Sequence, residues 1–326
     1  MPQCKILWKR KAFSVKVLGE AWNAKQGCGA ESFMQGEVSA CAADYVRVDS
    51  LEAAIATLAK GPRTILAGGT DVFPRLQDRP LTGAILDISG IAALGAVAFD
   101  GDYWRIGAAA SWRTLIDADV PPAFDGLKAA AREVGSVQIQ NRATIVGNLC
   151  NASPAADGVP PLLTLDAEVE IAGAAGLRYL PLSAFILGNR KTALADGEMV
   201  SALRIPAAST AGQSGFLKLG ARSYLVISIS MAALRLAVDE AGIIRDMALS
   251  IGACSEVAKR MDQLEDALRN TTLATASARV RPDLFTGLSP IDDVRATAAY
   301  RMQASCEITR RLLCEQQLNF AKGVAA

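Results

Sequence analysis

Between Ile139 and Gly158 the chain reads IQNRATIVGNLCNASPAADG. This run sustains neither a two-residue nor a 3.6-residue apolar period and is dense in glycine, asparagine, serine and aspartate. A stretch of that length without a regular element predicts a working loop, and such a loop needs a rigid scaffold on both sides. Segments of helical and strand-like pattern flank it, so the expected class is α+β.

On the N-terminal side, Ser50 is placed to cap LEAAIATLAKG, an amphipathic helix stopping at Gly61. Strands are expected over Arg63–Ala67, Ala84–Ile88 and Tyr103–Ala109, and Ser111 is placed to cap WRTLIDA. Leu127–Val134 reads as helix, Pro161–Leu165 as an apolar helix or turn, and Ala167–Gly173 as a strand returned by Leu177–Leu182. Ile205–Gly212 (IPAASTAG) reads as a linker. After it, GFLKLGARSYLVISISMAALRLAVDEAG and IIRDMALSIGA suggest an antiparallel sheet, with helices over Met261–Arg269 and Asp292–Leu313. The expected organisation is an N-terminal extension over residues 1–44, a two-part domain over 45–210 split near 100, and a smaller α+β domain over 211–320.

The 326 residues contain no histidine, which excludes histidine-based acid–base catalysis and histidine-ligated metal centres. A net charge of +1 gives no electrostatic footprint for nucleic acid or an anionic membrane. No apolar run reaches the roughly 20 residues that span a bilayer. The start, MPQCKILWKRKAF, lacks the apolar core of a signal peptide, and the seven scattered cysteines read as free thiols; the cytoplasm is the expected compartment.

Two segments carry candidate chemistry. In LAGGTD (Leu66, Ala67, Gly68, Gly69, Thr70, Asp71) a glycine pair ends a strand. It closes a tight turn, or it clears backbone N–H groups to hold an anion. Its spacing is not that of a dinucleotide fingerprint, and it lacks a P-loop lysine. The second is the irregular run, where Thr144, Gly147, Asn148, Ser153 and Asp157 offer the hydroxyl, amide and carboxylate partners a sugar needs. Read blandly, it is an Asx-rich surface loop. Cys150 reads as a small buried hydrophobe, because no base stands beside it. Lys218, in an apolar strand, either snorkels to solvent or faces an anionic group. Together these features suit a polyanionic, sugar-bearing ligand and offer no catalytic acid or base, so the chemistry is expected to reside in a cofactor.

With LAGGTD, TIVGNLCNASPAADGVPPLLTLDAEVEI, GFLKLGARSYLVISISMAALRL and LSPIDDVRATAAYR in order, the chain resembles the FAD-binding medium subunit of the molybdenum hydroxylases, the group of carbon monoxide and xanthine dehydrogenases, from about Tyr45 to about Leu313. The resemblance implies a two-part FAD domain of the vanillyl-alcohol-oxidase type followed by a smaller domain with a three-stranded antiparallel sheet. It implies that Leu66–Asp71 wraps the FAD pyrophosphate, that Thr144, Gly147, Asn148, Ser153 and Asp157 complete that site, and that Lys191 and Lys218 lie towards the flavin. It implies an oxidoreductase subunit that takes electrons from [2Fe–2S] clusters in a small iron–sulphur partner and passes them to an external acceptor. The molybdenum cofactor would sit in a large partner subunit.

The chain departs from the family pattern at several places. Val146 stands where TIGGN has its first glycine, Ser111-Trp112 replaces a threonine–histidine pair, and Asn189 replaces a tyrosine. A β-branched residue is poor at positive φ, so Val146 demands either an ordinary backbone or a reshaped loop. Two other readings stay open: a stand-alone FAD oxidoreductase, and a structural subunit of the same complex that has lost FAD.

Overall fold

The computed structural model describes residues 44–324, so the N-terminal extension lies almost wholly outside the described residues. The chain opens with a small parallel sheet. Strands β1 (Asp44–Arg47), β2 (Thr64–Leu66) and β3 (Ala84–Asp87) lie in the order β1-β3-β2, all parallel. The crossover from β1 to β2 is the helix Leu51–Leu58, which Ser50 caps as expected by accepting from the Ala53 N–H at 3.2 Å. The short helix Val72–Leu76 follows the glycine pair.

An antiparallel five-stranded sheet comes next. Its members are β4 (Val97–Phe99), β5 (Tyr103–Gly107), β6 (Glu168–Gly173), β7 (Gly176–Pro181) and, beyond the small hairpin β8 (Ile186–Gly188) and β9 (Lys191–Thr192), β10 (Met199–Pro206). The order is β4-β5-β10-β6-β7, which puts β10 at the centre. This corrects the start of the linker read over Ile205–Gly212: Ile205 and Pro206 pair with Trp104 and Tyr103, and the connection is residues 207–212, of which Ala207–Thr210 is a single turn. Pro206 is tolerated because it is the strand's last residue.

The run Ile139–Gly158 is also corrected. It holds most of the helix Val137–Arg142 and the whole helix Ile145–Cys150, followed by turns. Each helix has six residues, too short to show a 3.6-residue period. One core joins the two sheets and these helices, centred on Leu86, Ile106, Trp112, Phe124, Leu149 and Ile171, all essentially inaccessible.

The C-terminal part holds β11 (Gln213–Leu219), β12 (Ser230–Val238), β13 (Ile244–Gly252) and the two-residue β14 (Lys259–Arg260), all antiparallel in that order. Three long strands match the expectation, and the fourth is a short edge addition. β12 is apolar on both faces because the helix Val159–Thr164 and the 27-residue helix Ala298–Val324 both pack on it. The latter starts later than Asp292: Asp292 accepts from the Ala298 N–H at 2.5 Å, and Asp293 holds the preceding turn through the Arg295 N–H and Arg301. The C-terminal sheet is tied to the rest of the fold through Phe216, Met231 and Ala130, through the Ser214 hydroxyl accepting from the Gly126 N–H, and through the buried Arg235 donating to the Thr164 carbonyl.

Candidate cofactor site

The two candidate segments meet. The turn after β2 and the turn after β3 lie at the C-terminal ends of parallel strands, where open α/β sheets bind ligands. The two glycines have different tasks. Gly69 adopts φ +74°, which closes the turn, and its carbonyl accepts from the Phe73 N–H at 3.0 Å. Gly68 has an ordinary φ, but a Cβ there would lie 2.0 Å from the carbonyl oxygen of Arg142. Gly68 is therefore the point where the first segment packs backbone to backbone on the second. Among the described residues, nothing accepts from the N–H groups of Gly68, Gly69, Thr70 or Asp71.

The second segment is pinned by local hydrogen bonds. Trp112 N–H donates to the Ala143 carbonyl at 3.1 Å and Ile145 N–H to that of Ala110 at 3.2 Å. Thr144 caps the helix Ile145–Cys150, its hydroxyl accepting from the Gly147 N–H at 3.0 Å. A Cβ on Gly147 would come within 2.6 Å of that hydroxyl, so glycine is needed there. Val146 sits in the helical first turn with no positive φ, buried against the core, so the β-branched residue meets no backbone penalty.

Between the segments lies a cleft of about 550 Å³. Ala67, Gly68, Gly69, Thr70 and Asp71 form one wall, and Thr144, Gly147 and Asn148 the other. Leu66 is buried beneath the turn as a strand residue. Asp157 and Lys218 are found at an adjoining cavity of about 320 Å³ that shares Asn148 and Val134 with the cleft. Ser153 lines a further cavity beside Asn189, Glu256 and Arg301. Lys191, in the β8–β9 hairpin, is exposed and lines none of these.

Lys218 does not snorkel. Its Nζ donates to Asp157 Oδ2 at 2.6 Å with both side chains buried, and Ser228 donates to Asp157 Oδ1 at 2.7 Å. Burial pushes the Asp157 carboxyl above its ordinary range, and the Lys218 charge and the two hydrogen bonds pull it back. Cys150 is also corrected: it is exposed and lines the cleft.

Three residues that the sequence reading did not select complete the mouth of the cleft. Arg75 donates to Asn151 Oδ1 at 2.5 Å, and Arg190 donates to the same oxygen. Arg190 lies next to Lys191, and the basic turn Asn189-Arg190-Lys191 was the available signal.

The cleft suits a sugar–phosphate ligand. Backbone N–H groups without an acceptor and two guanidinium groups line it, the donor set that phosphate oxygens take, and the buried Asn148 Oδ1 and Trp112 Nε1 have no partner among the described residues. Gly158 is hemmed in by these same two side chains: a Cβ there would lie 2.5 Å from the indole ring of Trp112 and 3.1 Å from Asn148 Oδ1. These residues fit FAD.

Comparison with known proteins agrees. Residues 38–208 match the family described as FAD binding domain in molybdopterin dehydrogenase, and residues 216–316 match the CO dehydrogenase flavoprotein C-terminal domain. The chain is 30% identical over 283 residues to the xanthine dehydrogenase FAD-binding subunit of Escherichia coli O157:H7, covering 84% of this chain and 95% of that protein. It is 28% identical over 261 residues to the nicotinate dehydrogenase FAD-subunit of Eubacterium barkeri, covering 78% and 88%. A solved structure of CO dehydrogenase from Oligotropha carboxidovorans superposes with a TM-score of 0.75 at 25% identity, covering 83% of this chain and 96% of that one. The chain belongs to the family of FAD-binding subunits of molybdopterin dehydrogenases, and its cofactor is FAD.

Proposed function

We propose that this chain is the electron-transfer subunit of a molybdenum-containing hydroxylase, taking electrons from [2Fe–2S] clusters of a small partner subunit and passing them to an external acceptor. A large partner subunit holds the molybdenum cofactor and chooses the substrate. FAD supplies the redox chemistry when bound. The residues of this chain would bind and orient it: the N–H groups of Gly68 to Asp71 and the Thr70 hydroxyl would hold the pyrophosphate, with Thr144, Gly147 and Asn148 on the opposite wall. Leu66 and Ala67 set the turn, Ser153 and Asp157 would complete the pyrophosphate and ribose site, and Lys191 and Lys218 would lie towards the flavin. The Asp157–Lys218 pair keeps charge in a buried place without offering a free acid or base. The domain division is 45–210 for the FAD part and 211–320 for the C-terminal part, in a cytoplasmic complex. Among the described residues no helix is long and apolar enough to cross a membrane.

The observation that carries this reading is the packing of the two glycine segments into one cleft through Gly68 and Arg142, in a chain without histidine. The test is purification of the tagged chain from its native source. Two companion polypeptides carrying molybdenum and iron, with flavin that is reduced only when the whole complex receives its reducing substrate, are the expected result. A chain that purifies alone and oxidises NADH through its flavin overturns the proposal in favour of a stand-alone oxidoreductase.

A further inference from the structure

Asn151, Arg75 and Arg190 come from three separate segments and meet at the mouth of the cleft. Arg75 lies on the helix launched by the glycine pair, Asn151 caps the helix Ile145–Cys150, and Arg190 lies at the tip of the β8–β9 hairpin. Both guanidinium groups donate to one neutral oxygen, Asn151 Oδ1, and no described carboxylate forms an ion pair with either. Two like charges held this close repel each other. The backbone enforces the arrangement: Arg190 sits at φ +60° and Ala152 at φ +46°, and the Arg190 N–H donates to the Ala152 carbonyl at 2.9 Å. Non-glycine residues held in the left-handed region mark places where the surrounding fold over-determines the backbone, which is frequent at ligand clamps.

We infer that Arg75 and Arg190 form a diphosphate clamp, with Asn151 as the residue that positions both. The inference rests on the flavin reading and deepens it: the clamp supplies the positive charge that the glycine segments, offering only N–H dipoles, lack. A guanidinium fork matches phosphate oxygens, and a diphosphate carries the two negative charges that relieve the repulsion. The dinucleotide is therefore preferred over riboflavin, and its affinity falls with ionic strength.

The test uses the cofactor-stripped full chain, titrated with FAD at low and high salt by flavin fluorescence. Arg75→Gln and Arg190→Gln, both at exposed positions, each weaken FAD by about tenfold, and the double variant loses most of the salt dependence. Asn151→Asp places a carboxylate between the arginines; it raises the thermal stability of the stripped chain while weakening FAD, a split that a merely structural role does not produce. Inorganic pyrophosphate alone raises the melting temperature of the wild-type chain and not of the double variant. A double variant with wild-type FAD affinity and salt dependence overturns the clamp. If the wild-type chain binds no FAD, the flavin reading falls, and pyrophosphate decides the clamp by itself: no shift in the wild type overturns it, and a shift lost in the double variant upholds it.

Discussion

Replacing Gly68 by alanine isolates the contact that joins the two glycine segments. The backbone φ at Gly68 is ordinary, so alanine costs nothing in conformation, and the whole effect comes from the added methyl. That methyl would lie 2.0 Å from the Arg142 carbonyl oxygen, 2.8 Å from its carbon and 3.0 Å from the Ala143 Cα. Ordinary contacts need roughly 3.5 Å, so the segments must part by about 1 Å or more. All the opposing atoms are backbone, which cannot rotate away. Overpacking of this kind costs about 1–3 kcal/mol, reduced by about 0.4–1 kcal/mol for the lower entropy of the unfolded chain. The net loss, about 1.3 kcal/mol at mid-range and at most about 2.6 kcal/mol, is read by denaturant unfolding of the stripped protein. The cofactor effect is larger, because one displaced hydrogen bond to a charged phosphate is worth about 1.5–3 kcal/mol, or tenfold and more in FAD affinity. Gly69→Ala is the control. Its φ of +74° costs about 1–2 kcal/mol of stability, but the methyl meets only side chains, Leu66 Cδ1 at an ordinary 3.4 Å and the ring of Phe73, an exposed side chain with room to turn aside. Gly69→Ala therefore matches Gly68→Ala in stability and binds FAD better. A Gly68→Ala protein with wild-type stability and wild-type FAD affinity would show that the two segments do not depend on the contact at Gly68.

Three further outcomes are expected. Lys218→Met leaves the Asp157 carboxylate buried without its ion pair and costs about 3–5 kcal/mol by denaturant unfolding, whereas the double variant Lys218→Met/Asp157→Leu recovers most of the loss; equal losses in the two proteins would contradict this. Val146→Gly, a return to the family pattern, removes a buried side chain from a helical turn and costs about 2–4 kcal/mol without tightening FAD; improved FAD affinity would show that the valine obstructs the site. Glu198 accepts from Arg178, which holds its carboxyl below the ordinary value of 4.5. The unfolded chain therefore takes up that proton first, and the pair's stabilisation is intact above 4.5 and lost as pH falls through the lower folded-state value. Glu198→Gln flattens that acid limb in pH-dependent thermal unfolding, and an unchanged limb would assign it to other groups.

What the sequence made legible was local. Ser50 and Ser111 were readable as caps because a cap is a hydrogen bond across three residues, and each hydroxyl accepts as expected; the cap at Thr144, read as a ligand-binding residue, came only with the structure. The glycine pair announced a special backbone, although only the structure separates Gly69, which bends the chain, from Gly68, which yields space to Arg142. Pairings over long separations left no local trace. Lys218 and Asp157 stand 61 residues apart, so neither segment predicted that the two charges would satisfy each other. Arg75 and Arg190, 115 residues apart, carried no sequence signal of their meeting at Asn151. β10 was hidden because its residues are buried on both faces and end in Pro206, which gives apolar sequence without alternation and a turn signal at the wrong place.

Whether Leu66–Asp71 and Thr144–Asn148 form one FAD site is read from the cofactor content of the purified full chain. Its visible absorption spectrum, with the released cofactor identified by chromatography, is expected to show a flavin recovered as FAD in moles equal to protein, and Gly68→Ala should lower that yield. A folded chain that carries no flavin and takes up none from excess FAD would show that the two segments do not form that site.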